Sequence, residues 1–338
     1  MTICTARSAQ NPAVTVVIPA YNSAQYIFQT LDSIQAQTFS DYEVIVVNDG
    51  SSDSDELEQA LRSHTLEVIY LSQENKGVSA ARNAAIQIAR GEFYVQLDAD
   101  DQLKPNYLET QLEILKNNPD VVLVYPNATI VAAGSEKELE FMEISPSQGE
   151  VSFEGLVRQD CVVMTCVTAR MNVIRDAGMF DEDLLSCEDF DLWLRIAKNH
   201  GRIIYHREPL VIYRRRADSL SADRVWMGRY LLAVLEKCER TLSLTTTERE
   251  ALDAELSRNR SLLYLFEGKR ALTNGQTDDA LENFQNANRH LRSSKLSVVI
   301  FLLRHMPQLV SRVFSARERL LAKNPNSDLR GFDQPRVW

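Results

Sequence analysis

An acidic cluster, Asp98-Ala99-Asp100-Asp101, follows an apolar run of the chain. Because side chains alternate along a strand, Asp98 and Asp100 are expected to project to the same side. Two converging carboxylates suit Mg²⁺ or Mn²⁺, which prefer oxygen ligands and share them with phosphates. Ribose binding is the other polar role open to this pair. The competing interpretation is a turn in which Asp101 caps a helix beginning near residue 105, and for Asp101 alone we favour that cap.

Asp49 stands directly after a second apolar run, at the start of a turn. Gly50 permits that turn, and Ser52 or Asp53 is a suitable cap for the helix that follows. Neither feature explains Asp49. A carboxylate there can accept a hydrogen bond from a nucleobase N–H, so we predict a base-binding role for it.

Arg82 belongs to the segment 75–83, which opens a helix with a glycine-containing turn. Helix N-termini favour anions, because their first backbone N–H groups have no partner within the helix. Arg82 lies one turn in, within reach of a diphosphate or a base. The competing interpretation is a solvated surface arginine, which this pattern alone does not exclude.

Glu188 and Asp189 begin another predicted helix, and their position alone leaves a catalytic role for Asp189 open. A capping box with Ser186 as N-cap and Asp189 at N3 explains the same residues without catalysis. Asp191 and Arg195 have the i,i+4 spacing of a helix-surface ion pair. Adjacent residues on a helix do not share a face, so Glu188 and Asp189 are not expected to point at one acceptor hydroxyl.

The elements that must position these residues alternate between short apolar runs and amphipathic stretches. Near-continuous apolar runs are typical of strands covered on both faces, and the βαβα order predicts an α/β, doubly wound, mainly parallel sheet. Ligands of such sheets bind outside the carboxyl ends of the strands, where the polar segments stand. The apolar runs are Val14–Ile18, Glu43–Val47, Leu66–Leu71, Phe93–Leu97 and Val121–Tyr125, and the helical stretches lie near 24–37, 53–63, 78–90 and 105–117.

Further along, residues 126–160 predict a loop-rich link or edge hairpin, followed by short strands at Arg202–Tyr205 and Leu210–Tyr213. We therefore expect one domain over 1–222 and a helical region over 223–338. Residues 264–292 resemble a single tetratricopeptide-type hairpin joined at Asn274-Gly275, and one copy does not make a solenoid. The apolar and basic segment 297–314 suits either a packed helix or an interfacial helix on anionic lipid.

Composition narrows the function classes. The formal net charge of -10 excludes a general nucleic-acid binder, which needs a basic footprint. Residues 289–338 nevertheless hold ten Lys/Arg against three acids, so their helices are candidates for peripheral membrane contact. Five cysteines without zinc-type spacing fit a reduced compartment. With neither a secretory signal pattern nor a membrane-spanning apolar run, we expect a cytoplasmic protein, peripheral at most at the inner face of a membrane.

The order and spacing of these segments resemble the family 2 glycosyltransferases of GT-A fold. The resemblance covers about residues 13–222 and leaves the helical remainder outside it. It rests on VTVVIPAYN (14–22), VNDGSSD (47–53), NKGVSAARN (75–83), LDADD (97–101), AGMFDEDLLSCEDFDLWLRIA (177–197) and EPLVIYRRRADSLS (208–221).

The resemblance implies a role for each matching residue. Pro19, Ala20 and Tyr21 would contact the nucleoside, and Asp49 and Arg82 the base. Asp98, Ala99 and Asp100 match the Asp-x-Asp element, which handles the ribose and the metal on the donor diphosphate. Glu188 and Asp189 match the Glu-Asp pair, whose Asp is the usual base, and Gly178 matches a glycine in the loop before it.

One departure from the family pattern concerns the metal. Many relatives have a His where this chain has Arg216. A guanidinium does not ligate a metal, but it grips a diphosphate directly. We therefore predict that Arg216 assists the leaving group and that metal affinity is weaker than usual.

The resemblance implies an inverting hexosyltransferase-like enzyme. It would move a sugar from a nucleotide-diphosphate sugar, most readily a UDP-sugar, to a glycan or lipid-linked acceptor with Mg²⁺ or Mn²⁺. Cell-envelope polysaccharide or cell-surface glycan synthesis would be its setting. The alternative is a nucleotide-sugar-binding or scaffold protein that has lost catalysis and interacts through its helical tail. Oligomeric state is not predicted.

Overall fold

The computed structural model describes residues 3–4, 11–132, 139–215 and 223–322. The chain forms two compact units, Met1–Arg216 and Ala217–Trp338. The predicted boundary at residue 222 falls close to this division.

The first unit alternates strands and helices in the predicted order. Its strands are β1 Ile3–Cys4, β2 Val14–Ala20, β3 Tyr42–Asp49, β4 Ile69–Gln73, β5 Phe93–Gln96, β6 Gln102–Leu103, β7 Val121–Ala132, β8 Leu139–Glu140, β9 Thr168–Arg170 and β10 Arg202–Arg215. Its helices are α1 Ala24–Gln35, α2 Ser54–Ser63, α3 Val78–Ile88, α4 Tyr107–Asn117, α5 Phe141–Ile144, α6 Phe153–Val157, α7 Met171–Asp176 and α8 Glu188–Asn199.

These strands join one sheet, in the order β1-β4-β3-β2-β5-β9-β7-β10-β6 with β8 on β7. The block β4-β3-β2-β5 is parallel throughout, and its central strands are buried on both faces. The near-continuous apolar runs predicted this block. Beyond β5 the sheet is mixed, because β9 lies antiparallel between β5 and β7 while β10 runs parallel to β7.

One detail of the second half differs from the expectation. The predicted strands Arg202–Tyr205 and Leu210–Tyr213 form one long strand, β10, whose register shifts around His206 and Pro209. Proline has no N–H to donate to the sheet, which explains an irregularity at Pro209. The strand pairs with β7 on both sides of this irregularity. The predicted edge hairpin is present where β8 pairs with the end of β7.

The core of the first unit lies between the sheet and the flanking helices. Apolar side chains on the inner faces of α1, α2 and α4 pack against the strands. Ile27, Leu31 and Ile34 of α1 repeat at helical spacing and are fully buried, which fixes the helix against the sheet. The polar strand ends are therefore held on a rigid scaffold.

The second unit is helical. The helices are α9 Arg224–Thr241, α10 Thr246–Thr273, α11 Thr277–Leu291, α12 Ser294–His305 and α13 Pro307–Ala322. The predicted hairpin is confirmed, since α10 and α11 meet at Asn274-Gly275 and Gly275 has φ +78°. Close packing of this pair needs Gly268, where an added Cβ would stand 2.6 Å from the Phe284 ring. Among the helices described, none has the length and apolar content to cross a membrane.

Candidate functional site

The polar segments meet at the carboxyl edge of the parallel block, as predicted. β2 ends at Ala20 opposite Asn48 of β3, and Asp49 pairs with Gln73 of β4. The acidic cluster begins just beyond β5, the other neighbour of β2. Neighbouring parallel strands therefore deliver their following loops to one place.

The loop after β2 is tied to the loop after β3. Asn22 has a left-handed backbone, φ 49°. Its side-chain oxygen accepts hydrogen bonds from the N–H and hydroxyl of Ser52 at 2.8 and 2.9 Å. Ala20 is fully buried, whereas the side chain of Tyr21, the residue before Asn22, is 53% exposed. An exposed aromatic ring on a fixed loop is available for stacking on a planar ligand.

Asp53 is the N-cap residue of α2, but its side chain does not cap that helix. It accepts instead from the Ala24 N–H at 2.8 Å. Asp53 therefore stands at the expected cap position of α2, although its side chain makes no cap hydrogen bond. The side chains of Asp53 and Ser52 bond instead to the Ala24 N–H and to the Asn22 side chain, which both follow β2.

Asp49 organises the loop that leads into α3. Its Oδ1 accepts from the Gln73 side chain at 2.7 Å and the Lys76 N–H at 2.9 Å, and its Oδ2 accepts from the Gly77 N–H at 2.8 Å. The turn beside it requires Gly50, where an added Cβ would stand 2.6 Å from the backbone nitrogen of Asn75. Asp49 thus holds the loop that leads into α3, and base binding by it remains a prediction.

Arg82 is a buried ion-pair centre, and the surface-arginine interpretation is wrong. Its side chain is 3% exposed. Nη2 donates to Asp98 Oδ1 at 3.0 Å and Nη1 to Glu188 Oε1 at 2.5 Å, and the guanidinium lies 5.3 Å from the centre of the Phe180 ring. Burial works to lower the pKa of Arg82, but the carboxylates of Asp98 and Glu188 outweigh it and raise that pKa above its ordinary value.

This ion-paired triad, Asp98–Arg82–Glu188, joins two segments that are far apart in sequence. It links the Asp-x-Asp element to the start of α8, so the two halves of the predicted site form one network. Both terminal nitrogens of Arg82 are engaged in it, while its Nε has no hydrogen-bond partner within the described part of the chain. Contact of Arg82 with a nucleobase therefore stays a prediction.

Glu188 and Asp189 diverge, as the helix geometry predicts. Glu188 turns to Arg82, whereas Asp189 Oδ1 accepts from the N–H of Phe190 at 2.7 Å. Asp189 is half-buried. Burial, followed by repulsion from Glu188, raises the pKa of Asp189 to about 7, although the positive charge of Arg82 opposes the shift.

The predicted N-cap at Ser186 is wrong. The N-cap residue of α8 is Cys187, in a left-handed conformation with φ 58°, and its side chain makes no cap hydrogen bond. Non-glycine residues adopt this conformation at a cost, so surrounding contacts must hold it. The predicted ion pair of Asp191 with Arg195 is present at 2.6 Å, but it does not lie at the helix surface, because the Asp191 side chain is only 1% exposed.

Asp101 does not cap a helix, contrary to the expectation. The N-cap residue of α4 is Asn106, whereas Asp101 Oδ1 accepts from the backbone N–H of Arg214 at 2.9 Å. Strand β10 pairs with the short β6 that follows the acidic cluster, which brings this distant donor to the turn. Arg214 Nε also donates to the Asp100 carbonyl at 3.1 Å.

The acidic cluster crowds the carboxyl groups of Asp98, Asp100 and Asp101 together. Burial, followed by repulsion from Asp98 and Asp100, raises the pKa of Asp101 well above its usual range. Oδ2 of Asp101 is buried without a hydrogen-bond partner among the residues described. Crowded carboxylates with an unsatisfied oxygen suit a hard cation, so the donor set fits Mg²⁺ or Mn²⁺. Within the described ranges, no three or more His, Cys, Asp or Glu side chains are arranged to hold a metal by themselves.

Two positioning residues were not expected from the sequence. Asn83 exchanges hydrogen bonds with both the N–H and the carbonyl of Phe180, at 3.0 and 2.9 Å. Arg195 donates to the carbonyls of Ala177 and Met179. Together they fix the loop that leads to Cys187 and Glu188. The sequence around Asn83 and Arg195 contains no pattern that predicts these contacts, because the partners lie 97 and 16–18 positions away along the chain.

The basic run Tyr213–Arg216 begins beside the acidic cluster. Arg216, the predicted diphosphate ligand, lies outside the described residues. Arg214 is the member of this run that holds the acidic turn. Nearby Tyr213 is mostly buried, and burial, followed by the charges of Asp101, Asp98 and Asp100, raises its pKa.

The family described as "Glycosyl transferase family 2" matches residues 15–175. An uncharacterized glycosyltransferase of Rickettsia typhi is 31% identical over 226 residues, or 64% of this chain and 68% of the relative. One of Rickettsia bellii is 30% identical over 304 residues, covering 86% and 41% respectively. The chain spans 41%, 32% and 63% of the length of the R. bellii, R. felis and R. prowazekii relatives.

Solved structures agree in fold. Staphylococcus aureus TarS 1–349 in complex with UDP-GlcNAc matches with a TM-score of 0.60 at 17% identity, covering 91% of both chains. Mannosyltransferase PcManGT from Pyrobaculum calidifontis, in complex with GDP-Man and Mn²⁺, matches with a TM-score of 0.58 at 20% identity, covering 91% and 88%. The expected α/β fold of GT-A type is confirmed. The chain belongs to glycosyltransferase family 2.

Proposed function

We propose that this chain transfers a sugar from a nucleotide-diphosphate sugar to an acceptor hydroxyl, by a single inverting displacement assisted by a divalent metal. The observation that carries the proposal is the triad Asp98–Arg82–Glu188 with Asp189 beside it. Arg82 links Asp98, a candidate metal ligand, to Glu188, the residue next to the candidate base Asp189, and this arrangement at the ligand edge of the sheet supports the proposal.

Asp189 is the proposed general base. A base acts best when its pKa lies near the operating pH, and the pKa of Asp189 is raised to about 7. Its carboxylate accepts the proton of the acceptor hydroxyl as the new glycosidic bond forms. Glu188 is engaged with Arg82, so in this proposal it positions rather than accepts the proton.

Asp98 and Asp100 are the proposed metal ligands, together with oxygens of the donor diphosphate. Bound Mg²⁺ or Mn²⁺ would neutralise negative charge that develops on the leaving diphosphate. The crowding of Asp98, Asp100 and Asp101 supports a cation there. The structural neighbour PcManGT is described with Mn²⁺.

The donor contacts follow from the same edge. Tyr21 offers an exposed ring to the nucleoside, beside Pro19, Ala20 and the loop shaped by Asp49. We propose a UDP-sugar as the donor and a glycan or lipid-linked acceptor, within cell-surface polysaccharide synthesis. TarS is described with UDP-GlcNAc and PcManGT with GDP-Man, which supports a nucleoside diphosphate sugar in general. Peripheral contact with the inner face of a membrane is a separate proposal that concerns the helical unit.

The direct test is release of nucleoside diphosphate from a panel of donors, with and without Mn²⁺. The wild type should release product only with metal. Asp189→Asn should lose about 100-fold or more of this rate while it keeps donor affinity. Asp183→Asn, an exposed acid nearby, is the matched control. Donor binding without release in the wild type would instead support the scaffold function.

A further inference from the structure

The last two described helices expose an unusual number of large apolar side chains. In the described part of residues 11–215 three such side chains are exposed, Tyr21, Phe28 and Leu185. Between residues 298 and 313 there are six, with exposed fractions from 37% to 62%. We call these six the apolar face: Val298, Phe301, Leu302, Met306, Leu309 and Val313.

The apolar face is distinct from the face that packs. On α12, Val298, Phe301 and Leu302 follow the i, i+3, i+4 spacing of one helix side, whereas Leu296 and Leu303 are buried in the core of the unit. On α13, Leu309 and Val313 are one turn apart and exposed. The segment therefore packs through one side and leaves the other side apolar in water.

The stretch of chain that carries the apolar face is basic. From residue 283 to residue 317 the sequence contains no Asp or Glu, although the chain as a whole has a net charge of -10. Lys295, Arg304 and Arg312 of α12 and α13 are exposed. The Lys/Arg of this stretch are Arg289, Arg292, Lys295, Arg304, Arg312 and Arg317.

We propose that the apolar face docks onto a lipid surface that contains anionic headgroups. Its apolar side chains enter the interface between headgroups and acyl chains, and the neighbouring cations meet the headgroup phosphates. The helices, of 12 and 16 residues, lie on the surface rather than span it. A second copy is a poorer occupant, because pairing two such faces would oppose two sets of like charges. The proposal does not depend on the transfer chemistry.

The test is cosedimentation of the full chain with vesicles of phosphatidylcholine alone or with roughly 30% phosphatidylglycerol. The wild type should bind the anionic vesicles and lose binding as salt rises. Phe301→Glu should weaken binding at least about tenfold, because it removes apolar area and adds repulsion. Arg304→Gln should weaken it about fivefold.

Matched controls separate this surface from general effects. Phe28→Glu replaces another exposed aromatic ring, and Arg62→Gln another exposed arginine; neither should change vesicle binding. Phe301→Glu should release nucleoside diphosphate from donor in solution at the wild-type rate. Equal binding to both vesicles, binding to neither, or a dimer that Phe301→Glu dissociates would overturn the proposal. A chain without turnover that still binds anionic vesicles would count only against the proposed function.

Discussion

The two units of this chain depart in opposite ways from the usual pattern of apolar side chains inside and charged side chains outside. The first unit buries charge, with Arg82, Glu188 and Asp191 all below a tenth exposed. The second unit exposes apolar side chains on α12 and α13. Buried charge costs free energy unless it is paired, and exposed apolar area costs free energy unless it is covered. Ion pairs within the first unit offset the cost of its buried charge, whereas the exposed apolar side chains of the second unit need another molecule to cover them.

The buried charge of the first unit and the exposed apolar side chains of the second unit indicate different kinds of function. In the first unit the ion-paired triad stands at the ligand edge of a sheet, so the exception concerns chemistry. In the second unit the apolar face lies in a basic stretch of the chain, so the exception concerns a surface. Substitutions in either unit test these two interpretations.

The largest effect is expected from Arg82→Ala. The substitution leaves Glu188 buried beside Asp189 without its cation, and removal of one partner from a buried pair costs about 3–5 kcal/mol. Urea denaturation at neutral pH measures this loss in the free energy of unfolding. Arg62→Ala removes an exposed partner of Glu58 and should cost less than about 1 kcal/mol. Equal losses in the two variants would show that the triad does not stabilise the first unit.

The second unit should break through its packing instead. Gly268→Val places a branched side chain against the ring of Phe284, since the added Cβ alone would approach that ring to 2.6 Å. Overpacking of this kind costs about 1–3 kcal/mol. Gly149→Val has open space around the added Cβ but a φ of +71°, so it controls for backbone strain without a clash. Nucleotide affinity should survive Gly268→Val if donor binding belongs to the first unit.

The sequence predicted the scaffold better than the network built on it. The strands β2 to β5 and the shared edge followed from apolar periodicity and from the rules of parallel sheets. The pairing of Arg82 with Glu188 did not follow from the sequence. It joins residues 106 positions apart, and a single sequence does not show which distant residues come into contact. The absent caps at Asp101 and Ser186 have related causes. Local propensity favoured both caps. Asp101 instead accepts from the Arg214 N–H of β10, and Cys187 in its left-handed conformation takes the N-cap position before α8.

A smaller effect concerns the pH dependence set by Asp189. Its pKa is about 7 in the fold against 3.8 ordinarily, so the folded state holds this proton more tightly. The associated stability is present in full below pH 4 and is lost as pH rises to about 7. Asp189→Asn lacks this loss, so its free energy of unfolding should exceed that of the wild type at pH 8 more than at pH 4.

Activity should show the opposite dependence on the same proton. Transfer needs the ionised carboxylate, so the wild-type rate should rise with pH up to about 7 and then level. Denaturation and donor turnover measured across this pH range test both trends. A variant that is stabilised equally at pH 4 and pH 8 would show that Asp189 does not titrate in this way.

The smallest effect is expected from Asp101→Asn, whose comparison with Asp101→Ala shows how the fold tolerates this buried carboxyl group. Arg82 and Glu188 are tolerated as a charged pair, whereas the raised pKa of Asp101 favours its neutral form. Asp101→Asn keeps an oxygen that accepts from the Arg214 N–H, so stability should change by less than about 1 kcal/mol. Asp101→Ala leaves that N–H without its acceptor and should cost about 1–3 kcal/mol. Denaturation of the two variants at neutral pH measures the contrast. If Asp101→Asn is as damaging as Asp101→Ala, the charge rather than the hydrogen bond matters there, and Asp101 would then resemble the charged members of the triad.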